Sequence, residues 1–373
     1  MGCEYRKVKL ADLTTTGKGT YGIAASGVEK NDNLYTYLRI TDINDDGTLN
    51  QSDMKSVADD DAAQYLLKPN DIVFARTGGS TGRNYFYDGK DGTFVYAGFL
   101  IKFSIDPLKV NPKYIKYYCQ SDVYKNWVRS FNTGSTRGNI NAQTFGNMEI
   151  PLPPREQQDY LVSVLEPLDE KIAINREIND NLQQQAQAIY SSMFIDNPDP
   201  AWSHGHLSDL ITVKYGKDHK KLAGGIYPVY GSGGIMRYVE RPLYNKESVL
   251  IPRKGTLNNV MYVNQPFWSV DTMFYTEMKL PNVAKFVYHF VKAKDLASMN
   301  AGSAVPSMTT DILNAMEVVI PSASALEEFE SLVAPMYEAM EANDVQSKAL
   351  SQMRDTLLPK LMSGEIDVSD IQL

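Results

Sequence analysis

Two long stretches of the chain place apolar residues three, four or seven positions apart. This spacing, with polar residues between, is typical of amphipathic helices with a narrow apolar seam. Pro167 and Pro335 interrupt the stretches, and proline is tolerated in the first turn of a helix but kinks its interior. The sequence therefore predicts a short helix before each proline and a long one after it, over about 167–194 and 335–362. The seam positions are Leu161, Leu165, Leu168, Ile172, Leu182, Ile189 and Met193, then Phe329, Val333, Met336, Met340, Leu350, Leu357 and Leu361.

The two stretches are copies of one pattern. When the chain is shifted by 168 residues, residues 132–194 fall on residues 300–362 without a gap. The segment Met148-Glu149-Ile150 then meets Met316-Glu317-Val318, and the two prolines meet each other. Identity is low, but a register that is kept over 63 positions predicts an internal duplication.

The long helices are expected to pair with each other. Because their seams are narrow and their other faces polar, each seam is most easily buried on the other in an antiparallel pair; packing into an ordinary core is the alternative. At ~1.5 Å per residue each helix would span roughly 40 Å. The two asparagines would lie near the crossing point, where a buried asparagine can fix register. The predicted helix-pair interface comprises Leu168, Ile172, Asn175, Leu182, Ile189, Met336, Met340, Asn343, Leu350 and Leu357.

Two lobes of mixed α/β pattern separate the helices. We predict an α+β fold in which two mixed α/β domains are separated and joined by two long, antiparallel, coiled-coil-like helices, as a pseudo-two-fold duplication. Strands are predicted over 71–75, 94–103, 248–251 and 272–275, and helices over 112–131 and 285–299. The predicted division is a first lobe over 1–153, a central helical spacer over 154–196, a second lobe over 197–321 and a distal spacer over 322–373.

Charge is segregated along the chain. The formal net charge is −8, which by itself argues against a nucleic-acid partner. However, residues 1–150 hold 18 basic and 17 acidic residues, and residues 201–320 hold 13 and 9. Residues 151–200 hold only 3 basic against 9 acidic residues, and residues 321–373 hold 3 against 10. We therefore expect DNA to meet the lobes and protein partners to meet the acidic spacers.

Polar loops follow comparable strands in both lobes. Such loops are most often plain turns, but these recur within the two blocks that are not acidic. Arginine can fork onto guanine or phosphate, asparagine can pair with adenine, and lysine neutralises phosphates. The candidate DNA-contacting residues are Arg76, Thr77, Arg83, Asn84, Ser135, Thr136 and Arg137 in the first lobe, and Lys217, Lys220, Lys221, Arg253, Lys254, Asn258 and Ser303 in the second.

The sequence carries no complete motif for chemistry of its own. Asn264-Gln265-Pro266-Phe267-Trp268 departs from the Asn-Pro-Pro-aromatic loop of amino-methyltransferases at its second position. Tyr230-Gly231-Ser232-Gly233-Gly234 lacks the later acidic residue that would hold a cofactor ribose. The four histidines have no zinc-like spacing, and two cysteines predict no disulfide framework. We predict no catalytic residue, no cofactor and no metal.

Four segments resemble the specificity subunit of type I restriction–modification enzymes. They are 150–158, 165–172, 227–235 and 357–366, read as IPLPPREQQ, LEPLDEKI, YPVYGSGGI and LLPKLMSGEI. The order of lobe, helical spacer, lobe and helical spacer also resembles that family, so the likeness covers essentially the whole chain. The second copy departs from the first at Pro321-Ser322-Ala323-Ser324, which replaces Pro153-Pro154-Arg155-Glu156.

The resemblance implies a non-catalytic subunit that reads double-stranded DNA. Each lobe would be a target-recognition domain for one half of a split, asymmetric site. The helices would act as a ruler between the halves and dock two modification subunits, which carry out methyl transfer. Restriction and translocation subunits would be further partners.

Two other classes stay open from the residues alone. A stand-alone DNA methyltransferase requires intact cofactor and catalytic motifs, and an acidic DNA mimic or adaptor requires negative charge over the lobes. The first residues show no secretory pattern, and no apolar run reaches about 18 residues, so we expect a cytoplasmic protein without a membrane span.

Overall fold

Contacts divide the chain into two units. The computed structural model describes residues 5–51, 53–131, 138–299 and 307–366. The first unit takes in Met1–Ala173 and Gln346–Leu373, and the second takes in Ile174–Val345. Each unit is therefore one lobe together with part of each long helix. The division into four segments at the predicted boundaries stays a prediction.

The lobe of the first unit is built on strands and short helices. Its helices are α1 Pro112–Tyr118, α2 Asp122–Arg129 and α3 Ala142–Gly146. Its strands are β1 Arg6–Lys9, β2 Thr20–Tyr21, β3 Gly27–Val28, β4 Tyr35–Leu38, β5 Lys55–Val57, β6 Asp71–Ala75, β7 Asn84–Tyr87, β8 Phe94–Tyr96, β9 Leu100–Ser104 and β10 Glu149–Leu152. An antiparallel sheet has the order β2-β9-β6-β7, and a second has the order β3-β5-β4-β8, in which β4 and β8 are parallel. β1 pairs with β10, so the lobe closes on itself.

The lobe of the second unit repeats this plan. Its helices are α5 Leu207–Leu210, α6 Ala284–Lys292 and α7 Thr310–Asn314. Its strands are β11 Ser203–His206, β12 Ile211–Tyr215, β13 Tyr227–Gly231, β14 Gly234–Val239, β15 Ser248–Pro252, β16 Met261–Val263, β17 Trp268–Ser269, β18 Met273–Met278 and β19 Glu317–Ile320. The antiparallel sheet has the order β12-β18-β15-β16, the second sheet has the order β14-β13-β17, and β11 pairs with β19.

The long helices are α4 Arg155–Ser191 and α8 Ala323–Ser363. A shift of 168 residues maps β10 onto β19, α3 onto α7, and the first residue of α4 onto the first residue of α8. The predicted duplication is therefore confirmed residue by residue at these elements.

The prediction that each proline ends a short helix was wrong. Pro167 lies inside α4 and Pro335 lies inside α8. Leu165 before the first proline and Leu168 after it pack on the same lobe core. This shared burial holds both sides in one helix, despite a cost of about 3 kcal/mol for an interior proline.

Most predicted strands are confirmed, but two predicted helices are shorter. Ser121 caps α2 through its side chain, so the stretch 112–131 is two helices instead of one. α6 ends at Lys292 because the following segment turns back to Asn258, whose Oδ1 accepts the backbone N–H of Ala297 at 2.9 Å. Residues 94–103 form two strands, β8 and the start of β9.

The helix seams are buried on the lobes as well as on each other. In the first unit, Leu161 of α4 and Leu358 of α8 belong to one cluster with Phe103 of the sheet. In the second, Tyr190 of α4 and Phe329 of α8 share a cluster with lobe residues. Ordinary core packing, the alternative to a helix pair, therefore accounts for the outer parts of both seams.

Direct contacts between α4 and α8 occur where both lie in the second unit. The side-chain amide of Asn175 donates to the Asn343 carbonyl at 3.3 Å, and that of Asn179 donates to the Met340 carbonyl at 3.2 Å. The side-chain amide of Asn343 returns a bond of 2.8 Å to Asn179 Oδ1. Because the paired numbers run in opposite directions, the helices are antiparallel in this unit. All ten residues of the predicted interface are buried or half-buried.

Candidate nucleic-acid interface

In each lobe, one buried strand of the antiparallel sheet ends in an arginine. Arg76 follows β6 and Arg253 follows β15, and both strands are apolar and buried along their length. The Arg76 carbonyl accepts the backbone N–H of Ile140 at 2.9 Å, and the Arg253 carbonyl accepts that of Met308 at 2.9 Å. The two acceptor and donor positions therefore correspond between the lobes, as the sequence predicted for the strands.

Each arginine stacks on a tyrosine of the neighbouring edge strand. The guanidinium carbon of Arg76 lies 5.0 Å from the ring centre of Tyr21, and that of Arg253 lies 5.3 Å from the ring centre of Tyr215. The two tyrosines are 41% and 52% exposed. Sequence reasoning missed both tyrosines, although each one is followed by glycine.

That glycine is required by a close approach of two backbones. A Cβ at Gly22 would lie 2.2 Å from the carbonyl oxygen of Tyr96, and one at Gly216 would lie 1.9 Å from that of Val270. No side chain fits at such distances. A Tyr-Gly pair at the end of the edge strand was thus the available signal, and it recurs in both lobes.

The stacked guanidinium groups keep edges that can bind an acceptor. Both arginines are half-buried. The Nε of Arg76 is buried and finds no hydrogen-bond partner in the described part of the chain. Nη1 of Arg253 donates to the Asp271 carbonyl at 3.3 Å. Stacking orients the planar fork, and such a fork matches the two acceptors of guanine or of a phosphate.

Two other candidates of the first lobe are committed to the lobe itself. Arg83 donates through Nε to Asp45 at 2.7 Å, and Asn84 is buried, with its amide donating to the Cys119 carbonyl at 3.2 Å. We leave both out of the interface proposed below. Thr77 is half-buried and forms a bridge with Asn139. Ser135, Thr136 and Arg137 lie outside the described residues.

The second lobe presents its lysines to solvent. Lys254 is exposed beside Arg253, and the three lysines of the loop 217–221 are exposed without a salt bridge to any described residue. Asn258 instead uses both amide atoms internally, because it donates to Asp295 at 3.1 Å and accepts from the backbone N–H of Ala297. We leave it out of the proposed interface as well. Ser303 lies outside the described residues. The exposed loop lysines are Lys217, Lys220 and Lys221.

Neither a metal centre nor a membrane span emerges from the described residues. They contain no group of histidine, cysteine, aspartate and glutamate placed to hold a metal ion. Among the same residues, no helix combines the length and apolar character needed to cross a membrane. The arrangement described above is one of cations and aromatic rings.

Comparisons with known proteins identify the family. A family model for the type I restriction modification DNA specificity domain matches residues 3–184 and 201–329. The MjaIX type I restriction enzyme specificity subunit of Methanocaldococcus jannaschii is 23% identical over 303 residues, covering 69% of this chain and 70% of that protein. The HindI specificity subunit of Haemophilus influenzae is 20% identical over 412 residues, covering 82% of this chain and 88% of that protein.

A solved structure shares the fold. The crystal structure of the type I restriction-modification system S subunit from M. genitalium has a TM-score of 0.58 at 18% identity, and the match covers 96% of each chain. The family model extends over both copies of the duplication and most of the chain. The chain therefore belongs to the type I restriction modification DNA specificity family, as a specificity subunit and not an enzyme in its own right.

Proposed function

We propose that this subunit reads a split, asymmetric DNA sequence with one half-site for each lobe. The observation that carries the proposal is the arginine stacked on an exposed tyrosine at the same place in both lobes. An arginine held in this way can read a guanine edge or fix a phosphate. Two copies of one reading element, on two lobes of one chain, suit a site with two halves.

The surroundings of the two arginines differ, which favours different half-sites. Phe99, whose carbonyl accepts the backbone N–H of Arg76, is 59% exposed, whereas the corresponding acceptor for Arg253 is Thr272. An exposed phenylalanine offers apolar contact to a thymine methyl group, and a threonine offers a hydroxyl. Lysines border the second arginine but not the first.

Charge favours protein partners for the long helices. Residues 151–200 and 321–373 carry net charges of −6 and −7, so these segments would repel the DNA backbone. We propose that they dock two modification subunits, which bring the methyl-transfer chemistry, and that restriction subunits are further partners. Tight DNA binding would then need basic surface from those partners, because the lobes neutralise few phosphates.

The experiment is methylation sequencing of cells that express this chain with its modification subunit. We expect a split motif with two defined halves. Arg76→Ala should relax or abolish one half and Arg253→Ala the other, each by about 10-fold to 100-fold, as a lost bidentate base contact costs about 1–3 kcal/mol. Arg129→Ala and Arg241→Ala are matched controls, because these exposed arginines stack on no described ring.

The outcome for each half-site decides the assignment. If either stacked-arginine variant weakened both halves equally, without a change in base preference, one-lobe-one-half reading would be wrong. If no split motif appeared with the unaltered chain, the proposed function itself would fail.

A further inference from the structure

One hairpin of the second lobe carries exposed apolar residues at its tip. β13 and β14 are joined by only two residues, and β14 is the edge strand of its sheet. Ile235 is 49% exposed and Met236 is 60% exposed. These side chains lie at the start of β14, next to the turn, where a partner can reach them. Large apolar side chains left in water at such a point indicate a contact surface.

The tip is fixed beside the loop that carries Arg253. The side-chain amide of Asn259 donates to the Ser232 carbonyl at the tip at 2.8 Å. A Cβ at Gly255 would lie 2.7 Å from Ser232 Oγ, and Gly255 has a φ of +85°, which favours glycine. The hairpin tip and the arginine loop thus form one rigid surface.

The hairpin also holds the loop that carries the lysines. Nη2 of Arg237, on β14, donates to the Leu222 carbonyl at 2.6 Å and to the His219 carbonyl at 3.1 Å. The indole N–H of Trp268 donates to the Lys217 carbonyl at 2.8 Å. These bonds anchor the loop through its backbone and leave its lysine side chains exposed.

Cations therefore surround the apolar tip on the arginine side and on the lysine side. Asp218 lies in the same loop, but its carboxylate accepts the backbone N–H of Lys220 at 3.0 Å and caps the turn. A rim of five cations around two apolar side chains complements a polyanion with an apolar interior, which is the character of duplex DNA. The rim residues are Lys217, Lys220, Lys221, Arg253 and Lys254.

The first lobe has no such tip among its described residues. The corresponding strands, β4 and β5, are separated by residues 39–54 instead of a two-residue turn. The exposed apolar residue nearest in sequence to its arginine contact is Phe99, on the turn between β8 and β9. The hairpin is thus a feature of one lobe only.

We infer that Ile235 and Met236 form an apolar wedge that enters a base step in the half-site read by the second lobe. Isoleucine and methionine are among the side chains that proteins insert between base pairs, which unstacks the step and bends the duplex. The lysine and arginine rim would hold the phosphates on either side of the step. This inference rests on the proposed function, because it assumes that the lobe reads DNA.

The test uses the full chain in complex with its modification subunits and a duplex that carries its methylated motif. 2-Aminopurine replaces adenines of the second half-site and its immediate flanks in turn. We expect binding of the unaltered complex to raise 2-aminopurine fluorescence severalfold at one step, because unstacking relieves quenching. Ile235→Ser with Met236→Ser should abolish this rise and weaken binding by about 10-fold to 100-fold.

A matched control lies at the other end of the hairpin. Ile226, just before β13, is 78% exposed, so Ile226→Ser removes similar apolar surface away from the tip and should leave both readings unchanged. Retained recognition of the first half-site by the double variant shows that the protein is folded.

Three results would overturn the wedge. One is unchanged fluorescence and affinity in the double variant while Arg253→Ala loses the half-site. Another is loss of the modification subunits with DNA contacts intact, since the tip would then bind protein. A third is no fluorescence rise with the unaltered complex bound to its motif. If Arg253→Ala also left the half-site unaffected, the failure would belong to the proposed function.

Discussion

The two units join helix to lobe with different chemistry at equivalent positions. A shift of 168 residues takes Asp169 of α4 to Tyr337 of α8. In the first unit, the Asp169 carboxylate accepts from Lys116 at 2.8 Å and from Arg354 at 3.0 Å. In the second, Tyr337 and the fully buried His289 form a hydrogen bond of 2.9 Å. The first junction is an ion cluster and the second is neutral.

The same shift relates the residues that face these positions. Arg354 corresponds to Ala186, which is fully buried in the core of the second unit. A charged pair in one copy is thus replaced by an aromatic ring and a methyl group in the other. Duplication has kept the backbone register and let the packing chemistry diverge, so the two junctions should fail under different conditions.

Acid separates the two junctions. Burial opposes ionisation of Asp169, but Lys116 and Arg354 outweigh it and hold the pKa of that carboxyl below its usual 3.8. Burial, with a smaller contribution from Lys292, lowers the pKa of His289 from 6.5 to about 4. The neutral ring is consistent with its contacts, in which Nδ1 donates to Gln187 Oε1 at 2.8 Å and Nε2 accepts from the Tyr337 hydroxyl.

The largest effect is expected from breaking the ion cluster. Asp169→Ala leaves Arg354 and Lys116 without their shared partner, and removing one member of a buried pair costs about 3 kcal/mol here. Hydrogen exchange of α1 measures this loss as a lower free energy of opening in the first unit, while α6 in the second unit should be unaffected.

A neighbouring residue provides the control. Glu170 pairs with Lys90 at 3.0 Å, but both side chains are about half-exposed or more, so Glu170→Ala should change the free energy by less than about 1 kcal/mol. Equal effects of the Asp169 and Glu170 changes would contradict a buried cluster at this junction.

A smaller effect follows from lowering the pH from 7 to 5. Because the folded pKa of His289 lies below 6.5, its stabilising contribution is complete above pH 6.5 and is lost as the pH falls towards 4. At pH 5 the second unit should lose about 2 kcal/mol, at 1.36 kcal/mol per pH unit. The contribution of Asp169 persists over this range, since it is lost only as the pH falls below 3.8.

Hydrogen exchange at the two pH values, corrected for intrinsic rates, compares α6 with α1. His289→Gln keeps an amide that can donate and accept, and it should remove most of the pH dependence of α6. If α1 weakened as much as α6 between pH 7 and 5, or if the glutamine variant kept the full dependence, His289 would not be the acid-sensitive group.

The duplication and the long helices were predictable because they are written as local periodicity. A seam every three or four residues and a constant shift of 168 need no tertiary information. The continuity of α4 through Pro167 was not predictable, because it depends on Leu165 and Leu168 sharing one lobe core. Local propensity there is overridden by packing that is distant in sequence.

The candidate site was predictable in its cations but not in its partners. Arg76 and Arg253 follow from their places after buried strands, whereas Tyr21 and Tyr215 lie on other strands far away in the chain. The commitment of Arg83 to Asp45 likewise depends on tertiary structure. A sequence shows which residues are able to bind DNA, and the fold decides which of them remain available.

The smallest effect should come from the neutral junction. Tyr337→Phe removes the hydroxyl that donates to Nε2 of His289 and leaves a buried acceptor unsatisfied, at a cost of about 1 kcal/mol. Tyr190→Phe is the control, because that buried ring stacks on the same imidazole and its hydroxyl makes no hydrogen bond among the described residues. It should change the opening free energy of α6 by less than about 0.5 kcal/mol. A loss of about 3 kcal/mol in Tyr337→Phe, matching Asp169→Ala, would mean that the two junctions are energetically alike despite their different chemistry.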